Sequence, residues 1–332
     1  MRDKWMITGI GGFVASHLAR YIVSKNEEIV GTYRWNEDIH RINDIKNKIS
    51  MVSADLLDLS SLIRAIADNK PTIISHLAAQ SFVNDSFTNP IITVETNTIG
   101  TLNLFEAIRI VKDYIDKNYD PIIHIVSSSE VYGKVDLQNL PITEGHPFKP
   151  GNQYSIGKIG TDVTAQFYNK YYGYKVIITR MFTHCGVDRT MMSAENSFAK
   201  QIAMIENNLQ EPIVKHGNLN SIRTWADVRD AVVAYYLLIK TGKTGEIYNI
   251  GGDTVKTIQD TLDYLISLST KKDIIKKELD ETLVRKLDVN MQVADFSKFN
   301  KIVKWKPKIS FNKMCLDLLN FWRKEVKNTY GL

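Results

Sequence analysis

Short apolar runs alternate with stretches of helical spacing through the first half of this chain. Trp5-Met6-Ile7 predicts a strand, and Val14, Leu18, Tyr21 and Ile22 then fall on one helical face. Residues 28–34, 49–56 and 72–81 predict three more strands. Residues 97–110 predict a long amphipathic helix, residues 122–126 a buried strand ending at Ser127, and residues 177–182 another strand. Strands alternating with helices imply a parallel sheet with crossovers. Beyond residue 182 the pattern turns irregular. Residues 224–230 read as the start of a helix that returns to the first unit, and residues 246–252 return to it as well. The expected architecture is therefore a doubly wound parallel α/β sheet with a smaller, interleaved C-terminal unit. Residues 1–180 plus about 224–253 form the first unit, and about 181–223 plus 254–332 the second. No linker separates them cleanly.

The first strand runs into Thr8-Gly9-Ile10-Gly11-Gly12-Phe13-Val14-Ala15 and then a helix. This is the context of a Rossmann-type dinucleotide turn. Gly9 permits the tight turn, Gly12 lets the backbone approach a pyrophosphate, and Ala15 allows close helix–strand packing. The second strand ends in Arg34, where an NAD enzyme usually carries an acid. A guanidinium binds a 2′-phosphate that a carboxylate would repel, so NADP is the expected cofactor. A solvated Arg34, with Glu37 or Asp38 reaching back, is the other reading. Asp55 is read either as a ligand of the adenine amino group or as a helix cap. The small residues after the fourth strand, Leu77-Ala78-Ala79-Gln80-Ser81, suit a backbone lying against a flat cofactor.

Composition narrows the field. The 332 residues are 44% hydrophobic, enough for a sizeable core. Lys and Arg total 42 against 37 Asp and Glu, and no long basic run marks a nucleic-acid surface. Two cysteines, Cys185 and Cys315, make no disulfide framework, and Cys185 reads as a half-buried loop thiol. No signal peptide is visible, and no apolar run reaches the roughly 18 residues of a membrane span. The expectation is a cytoplasmic protein without a membrane or nucleic-acid partner. His76 and His124, inside apolar strands, read as core histidines, and no metal site is expected.

Tyr154 and Lys158 lie one helical turn apart, downstream of Ser127-Ser128-Ser129-Glu130. An ammonium beside a phenol lowers its pKa from about 10, so Tyr154 is expected to accept a proton from a hydroxyl while a cofactor takes the hydride. With the glycine turn, His76-Leu77-Ala78-Ala79, Asn97-x-x-Gly100-Thr101, Ser127-Ser128-Ser129-Glu130-Val131-Tyr132-Gly133 and Trp305-x-Pro307, the chain resembles the extended short-chain dehydrogenase/reductase family along nearly its whole length. Residues 79–83, 129–135, Pro147-Phe148-x-Pro150 and 196–202 resemble GDP-mannose 4,6-dehydratases. Lys200-Gln201-Ile202 and Gly217-Asn218-Leu219 followed by Arg223 are shared with the related GDP-4-keto-6-deoxymannose reductases.

The resemblance implies roles. Ser128, Glu130, Tyr154 and Lys158 would be catalytic, with Glu130 the base at C5 and the acid at C6; capping the next turn is its other reading. Gly9, Gly12, Phe13, Val14, Arg34, Asp55, Leu56, Leu77, Ala78, Ala79, Tyr154, Lys158, His184 and Arg189 would meet NADP. Ser81, Thr183, Asn196, Lys200, Arg223, Arg285 and Asp288 would meet a GDP-sugar. Asp188 stands where an Arg is usual and is expected to repel a cofactor phosphate, which sets the family's cofactor-mediated subunit contact in doubt. Tyr171, Tyr172 and Tyr174 read as core or subunit packing. The implied activity is a GDP-sugar 4,6-dehydratase on GDP-mannose or a GDP-mannoheptose, assembled as a homodimer or homotetramer. A GDP-4-keto-6-deoxy-sugar reductase and a non-catalytic NADP(H) sensor are the other readings.

Overall fold

A computed structural model describes residues 2–189, 193–284 and 289–332. Its centre is a seven-stranded sheet in which every pairing is parallel. Six strands come in the order of the chain: β1 (Lys4–Thr8), β2 (Glu28–Tyr33), β3 (Ser50–Ser53), β4 (Ile73–His76), β5 (Ile122–Ser128) and β6 (Lys175–Met181). In space the order is Glu246–Ile250, β6, β5, β4, β1, β2, β3. The chain reverses direction across the sheet between β1 and β4. In open α/β sheets that is where the carboxyl ends of the strands leave a crevice for a ligand.

Each face of the sheet is covered, as the near-continuous apolar strands require. Helix α1 (Phe13–Ser24) and the Val228–Thr241 helix cover one face, packing Leu18, Ile22, Val228 and Val232 against Trp5, Ile7 and Ile29. Helix α2 (Leu59–Asn69) and the helices Gly100–Ile110 and Gln153–Tyr172 cover the other, with Leu62, Phe105, Ile108 and Tyr168 in one buried cluster. Asp58 caps α2 by accepting from Ser60 N and Ser61 N. Asp55, offered above as a cap, instead accepts from Leu57 N at 2.9 Å. The expected helix over 97–110 starts earlier. The chain is helical from Pro90, with wider turns at Glu95–Ile99 and Val111–Ile115. β3 and β4 end sooner than expected, so Asp55, Ala78 and Ser81 all lie past the strands, at the sheet's carboxyl edge.

The second unit holds two small sheets. Ile222–Asp227 pairs with Thr254–Thr257, Met291–Gln292 and His184–Cys185. Ile213–His216 pairs with Lys276–Leu279. The helices Ala194–Glu206, Ile258–Ser267 and Phe311–Tyr330 pack around them through Phe198, Ile202, Leu262 and Leu318. The chain therefore returns to the large sheet at Val228, not near 224, because Ile222–Asp227 is consumed by the smaller sheet. Cys185 is fully buried in that pairing, deeper than a half-buried loop thiol, and burial pushes its thiol well above its ordinary value. Among the described residues, no helix is long and apolar enough to cross a membrane.

His76 and His124 are the core histidines expected. His76 bonds Thr8 Oγ1 (2.9 Å) and Thr101 Oγ1 (3.1 Å). His124 bonds Ser75 Oγ (2.8 Å) and Thr179 Oγ1 (3.0 Å). Burial depresses both to about 3, so both stay neutral near pH 7.

A buried ion pair joins four segments. Arg180, on β6, donates to Asp162 of the Gln153–Tyr172 helix through Nε (2.8 Å) and Nη2 (3.1 Å). It also donates to Tyr132 Oη (3.0 Å) and to the carbonyl of Glu144 (2.9 Å). Both side chains are at most 3% exposed. Removing one partner leaves an uncompensated buried charge. Asp162→Ala is expected to lower unfolding stability by about 3–5 kcal/mol. Urea unfolding of the variant checks this, and a loss under about 1 kcal/mol, the scale of an exposed pair, would contradict it.

Candidate active site

The crevice between the two units is a cleft of about 530 Å³. The large sheet contributes Ser81, Ser128, Ser129, Glu130 and Tyr154 to its walls. Thr183, His184 and Arg189 follow β6, and Lys215, Asn218, Arg223 and Gln292 come from the second unit.

Local structure presents the first group. β5 ends at Ser128, and a tight turn over Ser129–Tyr132 follows. Ser128 Oγ caps that turn by accepting from Glu130 N at 3.1 Å. Glu130 is thus not the cap; its carboxylate points to side-chain amides, Gln292 Nε2 at 3.2 Å and Asn152 Nδ2 at 3.4 Å. Asn152 also opens the Gln153–Tyr172 helix through a capping box with Ser155. Gly157 and Gly160 let that helix lie close against its neighbour. A Cβ on Gly160 would sit 2.1 Å from Thr98 Oγ1, and one on Gly157 would sit 2.9 Å from Asn97 Cβ.

Tyr154 and Lys158 lie on that helix one turn apart, but the ammonium is not coupled to the phenol as expected. Lys158 Nζ donates to the carbonyl of Val126 at 2.8 Å. Burial lowers Lys158 to about 8. Burial also pushes Tyr154 up to about 12, opposed by a hydrogen bond with Ser128 and assisted by the nearby Glu130 charge. The chain by itself therefore holds a protonated phenol, the reverse of the direction read from the sequence. Arg189, in the same cleft, pulls the phenol the other way but does not offset burial, so a further positive charge close to the ring would favour the phenolate.

The glycine turn fits an anionic dinucleotide. Gly9 has φ +66°, and a Cβ there would meet Ala78 Cα at 2.9 Å. Gly12 begins α1 with no side-chain cap, and the first turn carries no acid. Its N–H groups and dipole are left to an anion. Leu77 N and Ala78 N both donate to Thr8 Oγ1 at 3.1 Å, holding that backbone beside β1. Phe13 stacks on His184, 6.2 Å between ring centres, and Arg189 lies over Phe13 at 5.8 Å. Val14 packs into the core under the turn. At the end of β2 a second pocket of about 510 Å³ is lined by Arg34, Asp55 and Arg64. Arg64 escaped the sequence reading, since nothing local ties a solvent-facing helix position to β2. Glu37 does reach back, but to Arg34 N (3.0 Å).

Other expectations change in three dimensions. Leu56 points into the core, against Gly100. Asn196 is fully buried and spends its amide on Ser193 Oγ and Trp322 Nε1. Lys200 is not among the cleft residues; its ammonium lies 5.7 Å from the Trp322 ring, and Lys215 of Ile213–His216 lines the cleft instead. Arg189 donates to Glu195 Oε1 at 3.1 Å. Asp188 is paired within the chain: Arg41 Nε donates to its carbonyl at 2.9 Å and lies 3.6 Å from its carboxylate. Arg223, Ser81 and Thr183 lie in the cleft as expected. Arg285 and Asp288 lie outside the described residues. Gln292 was missed because no local pattern marks it and its partner Glu130 lies 162 positions away in the chain.

Comparison with known proteins gives a consistent picture. A family model described as GDP-mannose 4,6 dehydratase matches residues 6–318. A dTDP-glucose 4,6-dehydratase from Haemophilus influenzae is 30% identical over 326 residues, covering 93% of this chain and 94% of that one. A GDP-6-deoxy-D-mannose reductase from Pseudomonas aeruginosa is 24% identical and covers 98% and 99%. The solved structure of RMD from Pseudomonas aeruginosa complexed with NADPH superposes with a TM-score of 0.81 at 24% identity, over 97% of this chain and 99% of that one.

The Lys158 environment sets a pH signature. The unfolded lysine keeps its proton to about 10.4, the folded one only to about 8. Between those values the unfolded state binds more protons, so this group makes stability rise with pH. Below about 8 both states are charged and the burial penalty is fully present. Lys158→Met is expected to lose that rise, so wild type should gain on the variant between about pH 8 and 10. Urea unfolding of both proteins across that window tests it. Parallel curves would mean that the ammonium is not held in a desolvated site.

Proposed function

The chain belongs to the GDP-mannose 4,6-dehydratase family, within the extended short-chain dehydrogenases/reductases, and on that premise we propose that it is a GDP-sugar 4,6-dehydratase. Its substrate in this reading is GDP-mannose or a GDP-mannoheptose, and its product the 4-keto-6-deoxy sugar. The observation that carries the reading is Glu130 lining the same cleft as Tyr154 and Ser128. Elimination needs a base for the C5 hydrogen and an acid for the departing C6 hydroxyl; reduction of a ketone needs neither.

When bound, NADP supplies the hydride acceptor and donor and, in its oxidised form, a positive charge beside the phenol. Tyr154, held by Ser128, takes the proton of the C4 hydroxyl. The carbonyl formed at C4 acidifies the C5 hydrogen. Glu130 takes that proton and delivers one to the C6 oxygen, which leaves as water; the proton taken by Tyr154 would then go to C5 as the hydride removed from C4 is returned to C6. The sugar loses one water, and no net oxidation occurs. Lys158, one helical turn from Tyr154 and bonded to the Val126 carbonyl, would hold the nicotinamide ribose. Arg223 and Lys215 supply cations for a diphosphate. Arg34 and Arg64 line the second pocket beside Glu37, Asp55 and Asp58, and the two guanidiniums support NADP over NAD.

Homo-oligomerisation and a cytoplasmic setting belong to the same proposal. Ile91, Ile99, Ile156, Val163, Phe167 and Tyr171 are all exposed on the helices of one side of the large sheet. An apolar surface of this kind marks an association site. Sedimentation that finds only monomers at micromolar concentration would remove this part.

The likeness to a GDP-6-deoxy-D-mannose reductase over almost its full length supports a second reading, an NADPH-dependent reductase of a GDP-4-keto-6-deoxy sugar. Incubation with GDP-mannose, GDP-mannoheptose or dTDP-glucose and catalytic NADP⁺ separates the two. The dehydratase forms a 4-keto-6-deoxy sugar without net change in NADPH, and NADP⁺ supports turnover better than NAD⁺. Glu130→Gln is expected to lower its kcat by about 10²–10⁴. NADPH oxidation only with a 4-keto sugar, unaffected by Glu130→Gln, would overturn dehydration in favour of reduction.

A further inference from the structure

The carboxylate of Glu130 is held mainly from the far side of the cleft. Its own unit offers it Asn152 Nδ2 at 3.4 Å, a long contact from a side chain already engaged in capping a helix. The nearer donor is Gln292 Nε2, 3.2 Å from Oε1 and 162 positions away in the chain. Gln292 is 2% exposed, and its side-chain amide and backbone carbonyl are all engaged. Its side-chain Oε1 accepts from Ser129 Oγ at 3.0 Å, and its backbone carbonyl accepts from Thr224 Oγ1 at 3.1 Å. Its short strand, Met291–Gln292, pairs with Ile222–Asp227 and sets Gln292 opposite Arg223.

Chemistry settles which way the amide faces. An ionised carboxylate only accepts hydrogen bonds, whereas a serine hydroxyl can donate. The NH₂ end must therefore face Glu130 and the oxygen end Ser129. The amide thus bridges two consecutive residues of the turn that carries the base. It does so from a strand whose neighbour carries Arg223 into the cleft. The base and the substrate-binding unit are joined through one side chain.

We infer that Gln292 is the positioning residue for Glu130: it aims the carboxylate at the sugar carbon to be deprotonated and ties that aim to the unit that binds the nucleotide. The inference rests on the dehydratase reading above. Gln292 touches no reacting atom in this account and acts through Glu130. Misplacing a catalytic group by about 1 Å can cost about 10²-fold in rate. The loss should fall on the elimination and spare both binding and the first oxidation at C4.

Gln292→Met keeps the side chain's length and apolar volume but has no donor for Glu130. Gln292→Glu keeps the acceptor for Ser129 but sets a second carboxylate against the first. Both are compared with wild type at saturating GDP-sugar and NADP⁺, with thermal melts run alongside. The expected result for Gln292→Met is a kcat lowered about 10–100-fold with KM within about twofold, and a larger loss for Gln292→Glu. Reduced nicotinamide, read at its near-ultraviolet absorbance in stopped flow, should accumulate in both variants and not in wild type. A merely structural role would slow oxidation and elimination together and give no accumulation. A raised KM at unchanged kcat, or a wild-type rate in Gln292→Glu, would overturn the inference. Should Gln292→Met melt early, Gln292→Glu and Ser129→Ala, which frees the amide's other end, carry the same readout. If wild type itself forms no keto sugar from any nucleotide sugar, the dehydratase reading fails and this inference falls with it. If wild type turns over and the variants match it, this inference alone fails.

Discussion

The bidentate contact between Arg180 and Asp162 is the constraint on which the site depends. It pins the helix carrying Tyr154 to the strand beside β5. Through Tyr132 it reaches the turn carrying Glu130, and Tyr132 in turn donates to Asn249 on the outermost strand at 2.7 Å. A bidentate guanidinium–carboxylate pair sets direction as well as distance. Buried pairs add little net stability against an apolar alternative, so what this one contributes is geometry: the helix with the phenol is held to the strand-turn that carries the serine hydroxyl and the carboxylate.

Electrostatics in the cleft follow from what burial withholds. Lys158 spends its charge on a backbone carbonyl, Tyr154 stays protonated, and His184 is depressed to about 4 by burial and by Arg189. In the proposed reading, the phenol is left to be ionised when a cationic ring arrives. At the other end, Arg34, Arg64, Lys215 and Arg223 stand at the two pockets where phosphates would lie. Cations exposed at a rim steer an anionic ligand, whereas a desolvated phenol responds only to a charge brought close.

Much of the large unit was legible. The apolar strands, the Gly9–Gly12 turn and the one-turn spacing of Tyr154 and Lys158 are local features, and the structure keeps each. The core histidines were legible too, because an imidazole inside an apolar strand must find hydroxyl partners or lose stability. The edges of elements were less so: β3 stops at Ser53, and helix begins at Pro90, where a proline suits a first turn. In the second unit Arg223 and Thr183 were placed in the cleft, whereas Lys200 and Asn196 were not, since helical spacing alone does not say which turn faces Trp322.

Sequence alone determined the parallel sheet, the glycine turn after β1 and the one-turn spacing of Tyr154 and Lys158, because backbone preference and side-chain period act over a few neighbouring residues. Tertiary structure decided the rest. Asp188 is neutralised by Arg41, Glu130 is oriented by Gln292, and the Tyr154 phenol is raised instead of lowered. Each of these depends on a charge, a donor or a dielectric supplied by a distant part of the chain, and such terms exist only once folding has brought those parts together.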